Sequence, residues 1–393
     1  MNTKKIPQSH ISSIRRNLAF MMLLAGTACA FDSGSNGSYG PLVATNAPIV
    51  LPPDGIIHCT TIDIPTNQTL RFVRNARNTP VYLLATGDVN ITGAINVEGQ
   101  ENVGKRGGAG GPGGFDGGQG GQNPGDGFGP GGGKGGWVDS SAPTGTTIRG
   151  GGGYGTAGTR AVSGGATYGN SLLIPMVGGS GGGGGTHTSA GAQYGGGGGG
   201  GAILIASNTK INYVWNGNYT SARGGPASSG YGGGSGGSIR LVAPIISGNA
   251  GLDISGTMEG GVGRVRIDGT SVSLNLLGTD AASYTTFGSN MVVFPPNMPE
   301  IRIVQAAGKA VPLSQVEPVF VLLPAGSPAT QTIQVQLKNF NGVVPLAATV
   351  TPESGQKTTY NFEVNNPAGA TNSGSVDVQI PAGVSTRVDV WTR

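Results

Sequence analysis

The sequence predicts an all-β protein in which a parallel β-solenoid with Gly-rich insertions is followed by a β-sandwich. Three observations predict it: short strand phrases recur along the chain, 53 of the 77 glycines lie between positions 101 and 240, and Gly content becomes ordinary after residue 294. Strands alternate apolar and polar residues, and no comparable stretch has helical periodicity. Only 11% of the 393 residues are charged, against about 25% in an ordinary soluble domain. This composition argues against an average cytosolic enzyme.

The first thirty residues predict a secretory signal peptide. Residues 1–30 carry four cations, then the apolar run Leu18–Ala25, then small residues up to Ala30. The apolar run is too short to be a permanent membrane span, and we expect none in the mature chain. Removal of this segment leaves 19 of the 23 basic residues, which equals the 19 acidic residues. Because the mature chain is formally neutral, its charge does not predict a nucleic-acid partner.

Two cleavage sites fit the end of this segment. Cleavage after Ala30 follows the A-x-A rule and predicts a protein that is secreted or held at the bacterial cell surface. Alternatively, the residues up to Cys29 resemble a bacterial lipobox, which predicts lipidation of Cys29 and an outer-membrane lipoprotein. Gly26 stands where such motifs usually carry Leu. The Ser-, Gly- and Asn-rich start of the next segment, 31–50, predicts a flexible linker.

Repeated strand phrases predict the solenoid over residues 51–290. In residues 87–99 apolar and polar residues alternate, turn at Gly93 and alternate again. Related phrases begin at Ala202, Ser238 and Arg264. No single phrase can bury its apolar side alone, whereas stacked rungs of a parallel β-solenoid bury all of them.

The Gly-rich insertion, at about residues 104–200, has two interpretations. Such a composition usually predicts a flexible, low-complexity segment. Alternatively, its Gly-Gly-x triplets form helices of polyproline-II type that bond to one another through their backbones. Regular spacing and interspersed aromatic residues favour packing, whereas the entropic cost of ordering Gly opposes it. These aromatic residues are Phe115, Phe128, Trp137, Tyr154, Tyr168 and Tyr194. In both cases we expect the insertion to leave the solenoid at its corners and to keep the rungs in register.

Seven alternating segments predict an immunoglobulin-like β-sandwich over residues 296–393. They are residues 301–304, 319–323, 332–337, 347–351, 359–364, 375–380 and 386–391. The Cys pair and the core Trp of antibody domains are missing from this part of the sequence, so the relationship is one of architecture.

The order of these features resembles a known group of proteins. A strand phrase from Thr86 to Gly99, a long poly-Gly region and a rung from Gly236 to Ala243 follow one another. This order is similar to that of exported bacterial Gly-rich β-helix-like surface proteins with a C-terminal immunoglobulin-like sandwich. The resemblance implies a right-handed parallel β-helix and carries no assigned chemistry.

Motifs that suggest catalysis have simpler interpretations. The G-x-S-x-G matches at Ser180 and Ser235 lie in poly-Gly instead of between a strand and a helix, so we interpret them as flexible spacer. The nearest approach to a phosphate loop has Arg106 where Ser or Thr must bind magnesium. Gly120–Asp126 approaches a calcium repeat but contains an inserted Asn-Pro. Cys59 and the two mature histidines, His58 and His187, have no zinc-type spacing. We therefore predict no catalytic residue, cofactor or metal.

Charged residues on the predicted strands are expected to be solvated. Carboxylates occur singly along the strands instead of in the pairs that glycoside cleavage requires, and we expect them to point outward. These carboxylates are Asp63, Asp88, Glu98, Asp253 and Asp268. Arg240, Arg264 and Arg266 are expected to form a solvated edge on adjacent rungs.

These features together predict a non-catalytic structural or adhesive protein of the cell envelope or extracellular space. Its expected partners are a polysaccharide or a cell-surface protein, and Trp137, Tyr213 and Trp215 are the candidate contacts. One alternative is a polysaccharide lyase or glycoside hydrolase built on a β-helix. Another is a matrix or filament subunit that self-associates through its Gly-rich segments.

Overall fold

A computed structural model describes residues 31–138, 148–160, 163–187, 192–228, 230, 232–312 and 318–393. The predicted signal peptide and the predicted lipidation site Cys29 lie outside these residues. The described chain contains 25 strands and the short helix α1 (Thr279–Ser283). In the first part the strands are β1 (Gly40–Val43), β2 (Ile49–Val50), β3 (Ile56–Ile64), β4 (Thr69–Val73), β5 (Val81–Ala85), β6 (Val89–Ile91), β7 (Ala94–Asn96), β8 (Gly136–Trp137), β9 (Gly185–Thr186), β10 (Gln193–Tyr194), β11 (Ala202–Ser207), β12 (Lys210–Tyr213) and β13 (Thr220–Ser221). The later strands are β14 (Ser238–Val242), β15 (Ile245–Asp253), β16 (Arg264–Asp268), β17 (Ser271–Leu277), β18 (Thr285–Gly288), β19 (Glu300–Ala306), β20 (Lys309–Ala310), β21 (Thr330–Lys338), β22 (Gly342–Pro352), β23 (Thr358–Asn366), β24 (Thr371–Gln379) and β25 (Thr386–Thr392).

Fifteen of the strands form one parallel, solenoid-like sheet with three faces. The first face runs β3, β5, β11, β14, β16 and β18. The second runs through the end of β3, then β6, β12, β15 and β17. The third runs β2, β4, β7, β13 and the end of β15. Side chains such as Ile62, Val89 and Ile211 are almost fully buried inside. The all-β prediction and the parallel stacking of rungs are confirmed.

The long Gly-rich insertion leaves this sheet without disturbing its register. Ile203 of β11 pairs with Val81 of β5, and Thr220 of β13 pairs with Ile95 of β7. Residues 97–201 lie between those rungs in sequence, yet the ladder continues as if they were absent. The insertion departs after the third face and returns at the first, which is one corner of the solenoid.

Residues 31–50 do not form the flexible linker that their composition predicts. β1 pairs in parallel with β3, and β2 pairs with β4, so this segment begins the sheet. Ser33 is fully buried, and its hydroxyl donates to the carbonyl of Ala85 while its amide donates to Asn208. Short polar side chains that bond to the backbone hold the segment against the first face, which composition alone does not indicate.

The Gly-rich segments form an ordered array, here called the Gly-rich bundle. It comprises the described residues within 97–201, 222–237 and 254–263. Amides of the central segment, 195–201, donate in three directions that recur every third residue, with N···O distances of 2.7 to 3.0 Å. The acceptors are residues 104, 100 and 97 of one neighbour, 118 and 115 of a second, and 232 and 235 of a third. Carbonyls of the same segment accept from Gly108 and Gly111, from Gly179 and Gly182, and from Gly225. The central segment thus bonds to six neighbours, and the flexible-spacer interpretation is wrong.

Two antiparallel sheets follow the solenoid and share one core. One sheet has the order β20-β19-β21-β24 and the other β23-β22-β25. Val335, Leu337, Leu346, Ala348 and Val378 are fully buried between them. Six of the seven predicted strands are present, but residues 319–323 form no strand.

The C-terminal sandwich is docked on the Gly-rich bundle. Phe115 of the bundle meets Trp391 edge to face, with ring centroids 6.0 Å apart, and the Arg387 guanidinium lies over the rings of Phe115 and Phe128. Asp126 of the bundle is almost fully buried and accepts a bond from the Lys357 amide. Burial raises the pKa of this carboxyl, while burial lowers the pKa of the Lys357 ammonium, which donates to the carbonyl of Gly132. Aromatic and charged contacts therefore fix the sandwich to the bundle.

The thiol of Cys59 provides a direct test of the packing of the solenoid core. Cys59 is fully buried, and burial raises its pKa to about 12. At pH 8 the folded protein then holds about 10⁻⁴ of this thiol as the reactive thiolate. We expect a thiol reagent to leave Cys59 of residues 31–393 unmodified in buffer and to modify it fully in denaturant, as measured by mass spectrometry. Because the folded thiol keeps its proton while the unfolded thiol ionises near pH 9, its contribution to stability falls as the pH rises above 9. Rapid native labelling would contradict this packing.

Candidate functional site: a polar face of the solenoid

A row of polar side chains follows the middle of the second face, here called the polar ladder. It consists of Asp63, Asn90, Asn212, Ser247 and Ser273, which are register partners on five consecutive rungs. All five are exposed or half-buried, whereas the strand neighbours of Asp63, Asn90 and Asn212 are buried. Parallel strands lie about 4.8 Å apart, so the ladder presents hydrogen-bonding groups at that repeat.

Period-two alternation explains why these residues share one side. In β6 and β12, Asn90 and Asn212 each lie between two buried residues, and Ser247 occupies the matching position of β15. Ser247 donates to the Asn212 amide oxygen over 3.4 Å. A parallel row begins at Asn249 of β15, whose amide oxygen accepts from Asn275 of β17 over 3.1 Å. Amide and hydroxyl groups both donate and accept, which suits a neutral ligand that is rich in hydroxyl groups.

An aromatic pair lies in the turn that follows β12, one of the strands of the polar ladder. The chain between β12 and β13 brings Trp215 and Tyr219 edge to face, with centroids 4.8 Å apart. Gly251 of the next rung lies against the Trp215 ring so closely that a Cβ there would overlap it. Tyr219 is 40% exposed. Asn218 donates to Asn216, which donates to Thr66, so amide groups surround the aromatic pair.

The structure separates the three aromatic residues expected to contact a ligand. Trp215 is half-buried and follows Asn212 of the polar ladder by three residues. Tyr213 is only 4% exposed, and its hydroxyl pairs with Thr220 over 3.1 Å, so it belongs to the solenoid core. Trp137 lies in β8 of the bundle, where it pairs with Thr186 of β9. Of the three, only Trp215 is a half-buried residue of the solenoid, and Tyr219, Asn212 and Ser247 were not singled out from sequence. Aligning the alternating phrases of β12, β15 and β17 would have placed the ladder residues on one side.

The expected solvated arginine edge is wrong for two of its three members. Arg240 and Asp268 are fully buried and Arg266 is 8% exposed. One Asp268 oxygen accepts from Arg240 over 3.0 Å and the other from Arg266 over 2.7 Å. These side chains point away from the solenoid interior, as alternation indicates, but the chain around Asn290 covers them, and its carbonyl accepts from Arg240. We call Arg240, Asp268 and Arg266 the buried ion triad. The third arginine, Arg264, is half-buried and lies 5.7 Å from the Tyr154 ring centroid.

The other carboxylates expected to be solvated have varied surroundings. Asp63 is exposed on the polar ladder, and Asp88 is partly exposed with bonds to Thr209 and Lys210. Glu98 accepts from Asn96 and Ser221, and Asp253 accepts from Ser255. Within the residues that the structure describes, no three or more His, Cys, Asp or Glu side chains are grouped as a metal site would require.

Both serines of the G-x-S-x-G matches are structural. Ser180 and Ser235 are fully buried in the Gly-rich bundle. The Ser235 hydroxyl accepts from the Ser180 amide over 2.9 Å, and the Ser180 hydroxyl accepts from the Gly131 amide over 3.0 Å. These bonds join adjacent Gly-rich segments, so neither hydroxyl is placed as an accessible nucleophile.

Comparison of the chain with protein-family models, with curated proteins and with solved structures found no match. Among the described helical residues, no stretch is long and apolar enough to cross a membrane.

Proposed function

We propose that this is an exported, non-catalytic structural or adhesive protein of the bacterial cell envelope or extracellular space, and that it binds a neutral polysaccharide along the polar ladder. The observation that carries the proposal is the row of five in-register polar side chains, together with the aromatic pair Trp215 and Tyr219 in the turn after β12. A row of evenly spaced groups fits a ligand that is itself a repeating polymer. Exposed aromatic rings supply apolar contact area at small conformational cost.

The rest of the molecule supports this role. Three carboxylates accept hydrogen bonds from residues that hold the fold together, namely Asp268, Asp126 and Glu98. The bundle joins the solenoid to the C-terminal sandwich through aromatic and charged contacts. Such a connection keeps the polar face and the sandwich in a fixed relation. We further propose that the solenoid is right-handed, that the bundle segments are of polyproline-II type and that the sandwich is immunoglobulin-like.

Polysaccharide retention tests the proposal. Residues 31–393 are applied to immobilised neutral and acidic polysaccharides, and the same wells are assayed for released reducing ends and unsaturated products. We expect retention on a neutral polymer without product. Replacing Tyr219 by Ala should weaken binding between about twofold and tenfold, since an aromatic contact contributes about 0.5–1.5 kcal/mol.

The matched control is Tyr284→Ala, because Tyr284 is exposed to a similar degree, 41%, but lies between α1 and β18 of the first face and is not a ladder residue. Its affinity should equal that of the unmodified protein. Asn212→Asp places a second carboxylate on the ladder and should also weaken retention. Equal binding by Tyr219→Ala and Asn212→Asp would overturn the location of the site. Release of product would favour the polysaccharide-cleaving alternative.

A further inference from the structure

A cleft of about 1050 Å³ opens beside the C-terminal sandwich, away from the polar ladder. Its sandwich wall consists of β19, β25 and the segment 318–323. The opposite wall is the loop after β4, with Asn78 and Arg74, together with Asp116 of the bundle. Arg74 and Asp116 pair over 2.6 Å. The sandwich wall combines apolar side chains with charged ones, whereas the bundle side is polar.

The segment Val319–Leu323 has the sequence of a strand but pairs with none of the described strands. It reads Val-Phe-Val-Leu-Leu, made of residue types that favour strands, and Pro318 and Pro324 bracket it. Phe320 and Leu322 are 92% and 91% exposed, whereas the alternate residues Val321 and Leu323 are half-buried along the cleft. Proline cannot donate to a ladder, so the flanking residues limit any added strand to about five residues.

The same cleft contains an open sheet edge. β25 lies at the end of the order β23-β22-β25 and, within the described part of the chain, pairs along one edge only. β19 lines the cleft as well, and beyond β21 it pairs only through Gln305 and Ala306 with β20. Half-buried Ile303 and Val388 face the space between β19 and β25. An unpaired edge with apolar residues beside it is the usual acceptor of an added strand.

We propose that two copies of this chain exchange strands here, with Val319–Leu323 of each copy adding to β25 of the other. The argument for a second copy is self-complementarity: donor strand and acceptor edge lie on one patch of one molecule. A two-fold axis through that patch satisfies both at once, as an isologous interface requires. The exchange also covers Phe320 and Leu322, whose exposure is otherwise unfavourable for two large apolar side chains. This inference does not rest on polysaccharide binding.

Oligomeric state tests the exchange. The molar mass of residues 31–393 is measured by light scattering and sedimentation from about 1 µM to about 200 µM. We expect a concentration-dependent dimer. Replacing Phe320 and Leu322 together by Ser should raise the dimer dissociation constant at least tenfold, and Val321→Pro should do the same by removing a ladder donor. The control is Val343→Ser, because Val343 is a 61% exposed apolar residue of β22, outside the cleft wall, and its loss should leave the dimer unchanged.

A second measurement locates the contact without depending on stability. Two single-cysteine proteins, Phe320→Cys and Thr386→Cys, are mixed and oxidised, both in a Cys59→Ala background. We expect a disulfide-linked heterodimer, and none from Val343→Cys mixed with Thr386→Cys. A protein that stays monomeric at every concentration would overturn the exchange, as would a dimer that the Phe320 and Leu322 replacements leave intact. A monomer that binds a synthetic peptide of residues 318–324 would also overturn the exchange and would indicate a strand from another protein.

Discussion

Replacing Gly199 by Ala is expected to lower the free energy of unfolding by about 3 to 5 kcal/mol. Gly199 lies in the central segment of the Gly-rich bundle, where its amide donates to Phe115 and its carbonyl accepts from Gly111. A Cβ there would lie closer than 3.0 Å to backbone atoms of Gly179. Because those atoms belong to a hydrogen-bonded backbone and not to a flexible side chain, relief requires two segments to separate. Denaturant unfolding followed by circular dichroism measures the effect.

Gly121→Ala is the matched control for this prediction. Gly121 belongs to the same bundle and has no positive φ, and the nearest atoms to an added Cβ, those of Asn123, lie 3.9 Å away. Its replacement should change the free energy of unfolding by less than about 0.5 kcal/mol. If Gly199→Ala lowers the free energy of unfolding no more than Gly121→Ala does, the close packing around Gly199 does not contribute to stability. A flexible block would tolerate both replacements.

Replacing Asp268 by Asn is expected to have the second large effect. It should lower the free energy of unfolding by about 3 to 5 kcal/mol, because it leaves two buried guanidinium groups without their counter-charge. Asp268 is the carboxylate of the buried ion triad, and both of its oxygens accept from arginine. Burial lowers the pKa of Arg240, and the bond to Asp268 opposes that shift. The asparagine keeps the shape of the side chain, so the loss reports charge and not volume. Thermal and denaturant unfolding both measure it.

Asp63→Asn serves as the control, since Asp63 is exposed on the polar ladder. It should change the free energy of unfolding by less than about 0.5 kcal/mol. A triple replacement, Arg240→Met with Arg266→Met and Asp268→Leu, should recover most of the stability, because well-packed apolar residues can replace a buried ion group at little cost. A loss from Asp268→Asn as small as that from Asp63→Asn would mean that the triad is hydrated.

The Gly-rich bundle changes how the two strand-rich parts are connected. A flexible insertion would leave the sandwich free to move, whereas here Phe115, Phe128 and Asp126 of the bundle contact Trp391, Arg387 and Lys357 of the sandwich. Gly is required at Gly199 because backbones approach where a side chain would stand. The lost entropy of ordering Gly is offset by backbone hydrogen bonds, which the central segment makes to six neighbours.

Strand positions and the parallel stacking of rungs followed from the sequence because they depend on local alternation and on repeats. Phrases at 202–206, 238–243 and 264–269 correspond to β11, β14 and β16. Alternation also indicated which side chains point outward, including Arg240 and Asp268. Alternation could not indicate whether an outward-pointing side chain is solvated. Residues near Asn290, which are distant in sequence from Arg240, cover that side.

Only the tertiary structure decided the features that depend on neighbours far apart in sequence. Order in the Gly-rich block arises from bonds between residues as distant as Gly104 and Gly195. The polar ladder exists only because five rungs stack in one register, while Tyr213 and Trp215, two residues apart, lie in the core and at the surface. Residues 319–323 have every local property of a strand but pair with no described strand, because local pattern does not determine pairing. Local pattern determines what each segment of this chain can become, and the available partners determine what it is.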